Sequence, residues 1–287
     1  MKLFSVRATL AVALSFSIPA FAQTKSNKSE TYKDIIEKAY NLSLQRDRQQ
    51  ALNILTTAIR RETKPAAVAE LKKTSNEVAG VFFSDKAQQL FEVGVSLRKA
   101  DLNQSLSKMT EASRIEPDNS VIISELSRLM ISKGDCSSAQ DVLTKQIRLS
   151  PYEEELKIAM AQAHLCQNHY LEAAKLIDAR ENGKSPLQKF WLALEVEKSV
   201  KEKNLTKAQE ILNSLNKLDP KYPERPYWTW KIDNVKKVSN VDSAQKYVMT
   251  CKNISASQYR QYMIDPMLCR RMTEMESELK GLNGITE

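Results

Sequence analysis

Small residues and large apolar residues fall one helical turn apart at regular places: Ser105 with Met109, Ala139 with Leu143, Ala173 with Ile177, and Ala208 with Leu212. Residues four apart share one face of a helix, so each pair marks a helix that approaches a neighbour closely through its small member. A short turn sequence precedes each pair: Ala100-Asp101-Leu102, Gly134-Asp135-Cys136, Asn168-His169-Tyr170 and Lys203-Asn204-Leu205. Glycine and asparagine suit a left-handed helix stop, and Asp or Asn caps the helix that follows. After each pair comes a proline, and Pro117, Pro151, Pro186 and Pro220 stand 34, 35 and 34 residues apart. Proline cannot continue a helix and biases its predecessor away from one. The pattern predicts helical hairpins repeated at a fixed period, an all-α chain with no strands.

These residues resemble the tetratricopeptide repeat, whose units combine a bulky residue, a small residue, a turn, an alanine, a large apolar residue and a proline. A fifth unit fits from about Arg225, with Trp228 at the bulky position, Ala244 at the small one and Val248 a turn later. A looser unit stands in front, with Tyr40, Ala51 and Leu55 before Pro65. The resemblance covers about residues 31–252, extends with a last hairpin to about 281, and implies a right-handed superhelical solenoid of antiparallel helix pairs over 31–283. Regular units are expected over about 86–252, with irregular helices at 66–83 and 255–281. The first of these carries Val68, Leu71, Ser75, Val78 and Phe82 on one face. Either it is an insertion between two units, or the front of the chain pairs differently.

The start of the chain reads as a secretory signal peptide over residues 1–22. Lys2 and Arg7 precede an uncharged apolar run from Ala8 to Ile18, and Ala20-Phe21-Ala22 offers a small-x-small cleavage site. The run is too short for a convincing membrane span, and cleavage would leave no integral membrane segment. Gln23 would then begin the mature chain, with residues 23–30 poor in apolar content and expected to be disordered. Loss of Lys2 and Arg7 lowers the formal charge from +8 to +6. That balance is spread among many carboxylates, which describes a solvated helical surface, and nucleic acid is not expected as a partner. In a Gram-negative bacterium the product would be periplasmic.

Export changes how Cys136, Cys166, Cys251 and Cys269 read, because disulfides persist in oxidising compartments. Four cysteines allow three pairings. The repeat register puts Cys136 at the start of one helix and Cys166 at the end of its antiparallel neighbour, so those two can bridge. Cys251 and Cys269 are left as the second pair, with a short helix over 257–264 between them. Free buried thiols are the alternative. His164, Cys166 and His169 have the spacing of metal ligands, but a helix ends among them and the side chains need not converge. No metal and no cofactor is expected.

Nothing in the chain has the spacing of a catalytic constellation. There is no Gly-x-Ser-x-Gly elbow, no phosphate-cradling glycine loop and no His-Glu-x-x-His helix. Glu153-Glu154-Glu155 follows Pro151 at a helix start, where carboxylates favour the helix dipole. The chain therefore reads as a non-enzyme.

In the resembled family the first helix of each unit lines a concave face that takes a peptide segment or helix. The corresponding residues are Ser124, Arg128, Ile158, Gln162, Ala193, Glu197, Thr229, Trp230 and Asp233. They show no repeated Lys/Asn/Arg arrangement for clamping a terminal carboxylate. Within Pro223–Trp230, Trp228 takes a core position. Tyr227 and Trp230 lie on other faces, so that either one of them is an exposed anchor or both pack on the C-terminal helices. The resemblance implies a scaffold that binds a partner protein. Self-association into a structural component, or an accessory role beside envelope-assembly enzymes, are the alternatives. N-terminal sequencing of the exported protein should read Gln23 first; a product beginning at Met1 would contradict the signal peptide.

Overall fold

Every one of the four prolines lies in a gap between two helices, and every turn anticipated from the sequence separates the two helices of a hairpin. The computed structural model describes residues 30–180 and 185–283. The proposed signal peptide and residues 23–29 lie outside the described residues. Helices α1 (Tyr32–Leu44), α2 (Arg48–Arg61) and α3 (Pro65–Gly80) come first. Then follow five hairpins: α4 (Asp85–Leu97) with α5 (Leu102–Ile115), α6 (Ser120–Ser132) with α7 (Cys136–Leu149), α8 (Glu154–Cys166) with α9 (Tyr170–Asp178), α10 (Gln188–Lys201) with α11 (Leu205–Leu218), and α12 (Arg225–Val235) with α13 (Val241–Asn253). The chain closes with α14 (Ala256–Tyr262) and α15 (Met272–Asn283). Among the described residues there is no strand, and no helix is long and apolar enough to cross a membrane.

Local chemistry explains the boundaries. Asp47, Ser84, Asp101, Asn119, Asp135, Asn204, Asn240 and Ser255 each cap the helix that follows, their side chains accepting from its free amides. The preceding helix often stops in the left-handed conformation, at Arg46, Gly134, Asn168, Lys203 and Lys237. Only one of these is glycine, so the same stop recurs where the sequence does not advertise it. The small residues of the register, Ser105, Ala139, Ala173, Ala208 and Ala244, are all fully buried between the helices of their hairpins. At Ser105 the approach is close enough that a Cβ on Gly94 would sit 2.9 Å from Met109 Cε.

Hairpin stacks on hairpin through the first helices, with α6 against α8, α8 against α10 and α10 against α12. The result is an all-α stack of antiparallel helix pairs, with the second helices α7, α9, α11 and α13 on the outside. The described residues from Tyr32 onward make one compact unit.

The front of the chain pairs differently from a regular unit with an inserted helix. Helices α1, α2 and α3 form a three-helix bundle of their own, and α3 packs on α6 and α2 on α7. The close contact is at Gly80, where a Cβ would meet Val121 Cγ2 at 2.8 Å. Arg48 joins the bundle to the α5–α6 turn. Its guanidinium pairs with Glu116 at 2.7 Å and with Asp118, and stacks on the Phe83 ring. Glu116 also accepts from the amides of Phe83 and Ser84 at 2.7 and 2.8 Å. Burial opposes the charge on Glu116, but these donors and Asn119 outweigh it and hold the carboxyl below its usual range. Tyr40, the expected bulky residue of a front unit, is largely exposed and donates to Glu77.

Both cysteine pairs are bridged, and no free cysteine remains. Cys136 opens α7 and Cys166 closes α8, so helix start meets helix end across an antiparallel pair. Cys251 lies late in α13 and Cys269 in the turns just before α15, with α14 between them. Replacing Cys136 and Cys166 by serine reopens a loop of 30 residues. It is expected to lower unfolding free energy by about 3–4 kcal/mol, read as a lower denaturant midpoint; an unchanged midpoint would mean that the bridge constrains nothing.

Candidate functional site

A surface helix normally shows one apolar stripe, whereas a helix that is apolar all round is buried on every side. Helices α8 and α10 have no exposed residue, and α12 has none before Asn234 and Val235, so they are covered on every side although polar and charged residues are interspersed in them. Their outer side faces the second helices of the hairpins. Their inner side is covered by the chain itself, by the nine turn residues 263–271 between α14 and α15, called the strap below.

The strap is held by charge and by hydrogen bonds. Arg271 donates to Glu224 on one side at 2.8 Å and to Glu197 on the other at 3.0 Å. The guanidinium lies 4.7 Å from the ring centroids of both Tyr227 and Trp228. Glu197 also accepts from Gln162 at 3.1 Å, and Glu224 accepts from the Cys269 amide at 2.6 Å and from the Tyr247 hydroxyl. Asp265 accepts from the Tyr222 hydroxyl at 2.6 Å. Further along, Arg98 donates to the Asp265 carbonyl, Arg270 donates back to the Arg98 carbonyl, and Ser132 donates to the Pro266 carbonyl. What remains between strap and helices is a cavity of about 10 Å³, room for about one water.

A second buried network continues from it. Glu125, fully buried on α6, accepts both from Arg98 at 2.9 Å and from Arg128 at 3.0 Å. Arg128 reaches on to Glu155 at 3.0 Å and to the Ser124 hydroxyl at 2.8 Å. Opposite charges so placed compensate for their removal from water. Burial pushes the Glu224 carboxyl up to about 7 against the pull of Arg271, with Asp265 adding to the rise. Asp265 itself is raised, chiefly by burial. The phenols of Tyr222 and Tyr247 are raised for the same reason, with neighbouring carboxylates adding to burial.

The residues expected to line a concave face are found on that face, but covered. Ser124, Arg128, Ile158, Gln162, Ala193 and Glu197 are all buried. Ile158, Gln162, Ala193 and Glu197 line the small cavity together with Asp265 and Arg271 of the strap. Trp230 is buried too, tilted against Tyr227, so both aromatics pack inside and neither is an exposed anchor. Thr229 and Asp233 belong elsewhere. Thr229 lines an open cleft of about 220 Å³ with Asn213 and Lys246, and Asp233 accepts from Asn240 at 2.6 Å. Sequence reasoning missed Glu125, Glu224, Asp265 and Arg271. The absence of a single apolar stripe from α8 and α10 was the available signal that something covers them.

The acidic run after Pro151 does start a helix, but its side chains work at long range. Glu154 accepts from the Trp191 indole at 2.6 Å and Glu155 pairs with Arg128. Glu153 makes no capping bond, and its Oε2 is shut off from solvent without a partner. Cys166 is spent in its disulfide, which removes the thiolate from the His164-x-Cys166-x-x-His169 spacing. Glu224 lies near the sulfurs of Cys251 and Cys269, and these too are bridged.

No protein-family profile matches the chain, and no curated protein matches it. Solved structures similar to it include one described as a MamA RS-1 ArsTM double mutant, 18% identical with a TM-score of 0.42, covering 62% of this chain and 98% of that one. Another is a tetratricopeptide repeat protein from Parabacteroides merdae, 16% identical with a TM-score of 0.42, covering 87% of this chain and 97% of that one. The tetratricopeptide-like character of the fold rests on the helix register itself.

Two outcomes are expected. Arg271→Ala leaves Glu197 and Glu224 buried without their guanidinium and should lower unfolding free energy by about 3–5 kcal/mol in denaturant titration; a loss below about 1 kcal/mol would make the network incidental. Burial pushes Glu153 up to about 7, above the 4.5 of an ordinary glutamate. Its contribution is fully present below pH 4.5 and is lost as pH rises through 7. Glu153→Gln should therefore gain stability over the parent between pH 5 and 8, on the order of 1–3 kcal/mol. A difference independent of pH would contradict this.

Proposed function

We propose that the chain is an exported scaffold that binds a partner protein in the bacterial envelope and performs no chemistry of its own. The observation that carries this reading is the inner face of the stack, which already grips an irregular polypeptide segment through buried side-chain anchors. A face that holds a segment this way has the elements of peptide recognition: a charged anchor, aromatic walls and polar partners for backbone groups. Oxidation of all four cysteines supports an oxidising compartment, and with it export. The buried ionisable groups of the inner face are paired with one another in structural bonds, which supports a scaffold over a catalyst.

Crosslinking of the mature protein in intact cells tests the reading. Residues on the outer helices and in the open clefts, such as Lys246, would carry a photoreactive group. The expected result is a discrete adduct with one other envelope protein, competed by unlabelled mature chain. Adducts only with copies of the same chain, together with large assemblies of the purified protein, would replace the scaffold by a self-assembling structural component.

A further inference from the structure

The groups that grip Arg271 all belong to the hairpin stack, and the guanidinium comes from a segment outside it. Glu197 is on α10, Glu224 directly precedes α12, Gln162 is on α8, and Tyr227 and Trp228 lie in the first turn of α12. Together they form a cage with carboxylates on two sides and aromatic rings beneath, the surroundings that suit a planar guanidinium better than an ammonium. Lys201 approaches the other oxygen of Glu197 at 3.7 Å, and among the described residues Arg271 alone pairs with Glu224. Without Arg271 the cage would be a buried acidic recess.

The strap is an imperfect occupant of it. Cys269 holds a left-handed backbone at φ 56°, which side-chain-bearing residues disfavour. The Nε of Arg270 is buried without a partner. Asp265 brings a third carboxylate to the cavity that Glu197 lines, and its charge adds to the rise of Glu224. The Cys251–Cys269 bridge ties the strap to α13 and so keeps its local concentration high, which offsets a modest intrinsic fit.

We propose that this cage is a recognition site for an arginine-bearing peptide segment, and that the strap is the chain's own copy of such a ligand, exchangeable for one from a partner protein. The proposal rests on the scaffold reading and names the chemistry of the partner. A segment that presents an arginine to Glu197 and Glu224, and carries a neutral hydrogen-bond acceptor such as asparagine where the strap has Asp265, keeps the bond from Tyr222 without the like-charge contact. It therefore outcompetes the strap.

The test uses the full mature chain and a fluorescent peptide spanning residues 264–274 with serine at position 269. Cys251→Ser with Cys269→Ser frees the strap, and helix content by circular dichroism reports that the stack is intact. This variant should bind the peptide at least tenfold more tightly than the bridged parent. Arg271→Ala in the peptide should weaken binding at least tenfold, and Asp265→Asn should strengthen it. A folded variant that binds no peptide, or binds the arginine and alanine peptides equally, overturns the proposal.

If the bridge variant fails to fold, Arg271→Ala in the bridged chain keeps the cage testable. Millimolar ethylguanidinium should then raise its melting midpoint and ethylammonium should not; equal shifts, or none, overturn the cage. Failure of the scaffold reading is separable. Peptide binding without any envelope partner sinks that reading and leaves the cage. An envelope partner crosslinked equally to parent and variant, and not displaced by the peptide, sinks the cage and leaves the scaffold.

Discussion

One guanidinium between two carboxylates fastens the C-terminal strap to the interior of the hairpin stack. Arg271 lies between Glu197 and Glu224 with both partners buried, and a charge so placed is tolerated only when every member of its network is satisfied. This constraint explains why α8 and α10 have no exposed residue, and why Tyr222, Tyr247 and Gln162 point their polar atoms inward. It explains as well why Arg98, far away in the chain, exchanges contacts with Asp265 and Arg270 of the strap. Hydrophobic contacts build each hairpin, but the buried ions determine what lies across the inner face.

The repeat itself was legible because its causes are local. Capping by Asp101, Asp135 and Asn204, stops near Gly134 and Asn168, and interruption by Pro117, Pro151, Pro186 and Pro220 are short-range effects, so the sequence carries them openly. The small residues at Ser105, Ala139, Ala173, Ala208 and Ala244 fall where two helices must approach, and all are buried. Register also sufficed for Cys136 with Cys166, since neighbouring antiparallel helices leave few choices.

What was not legible is long-range and charged. Glu125, Glu197 and Glu224 look in sequence like ordinary residues of solvated helices, and nothing near them says that Arg98 or Arg271 will arrive from elsewhere. The front bundle was hidden for a related reason. Its position depends on Arg48 meeting Glu116, 68 residues away, and on Gly80 fitting beneath Val121. A concave face read from period alone looks open; it takes the partner of Glu224 to show that the face is filled.

The central claim is that residues 263–271 are seated in the inner face of the folded protein, held through Glu224 and Asp265. Hydrogen exchange of the mature, oxidised chain tests this most directly at the Met267 and Cys269 amides, which donate to Asp265 and Glu224. The account predicts protection at both, lost at Cys269 when Glu224 is replaced by alanine while α6–α8 stays protected. Exchange of both amides at the rate of an unstructured peptide in the parent protein would contradict it.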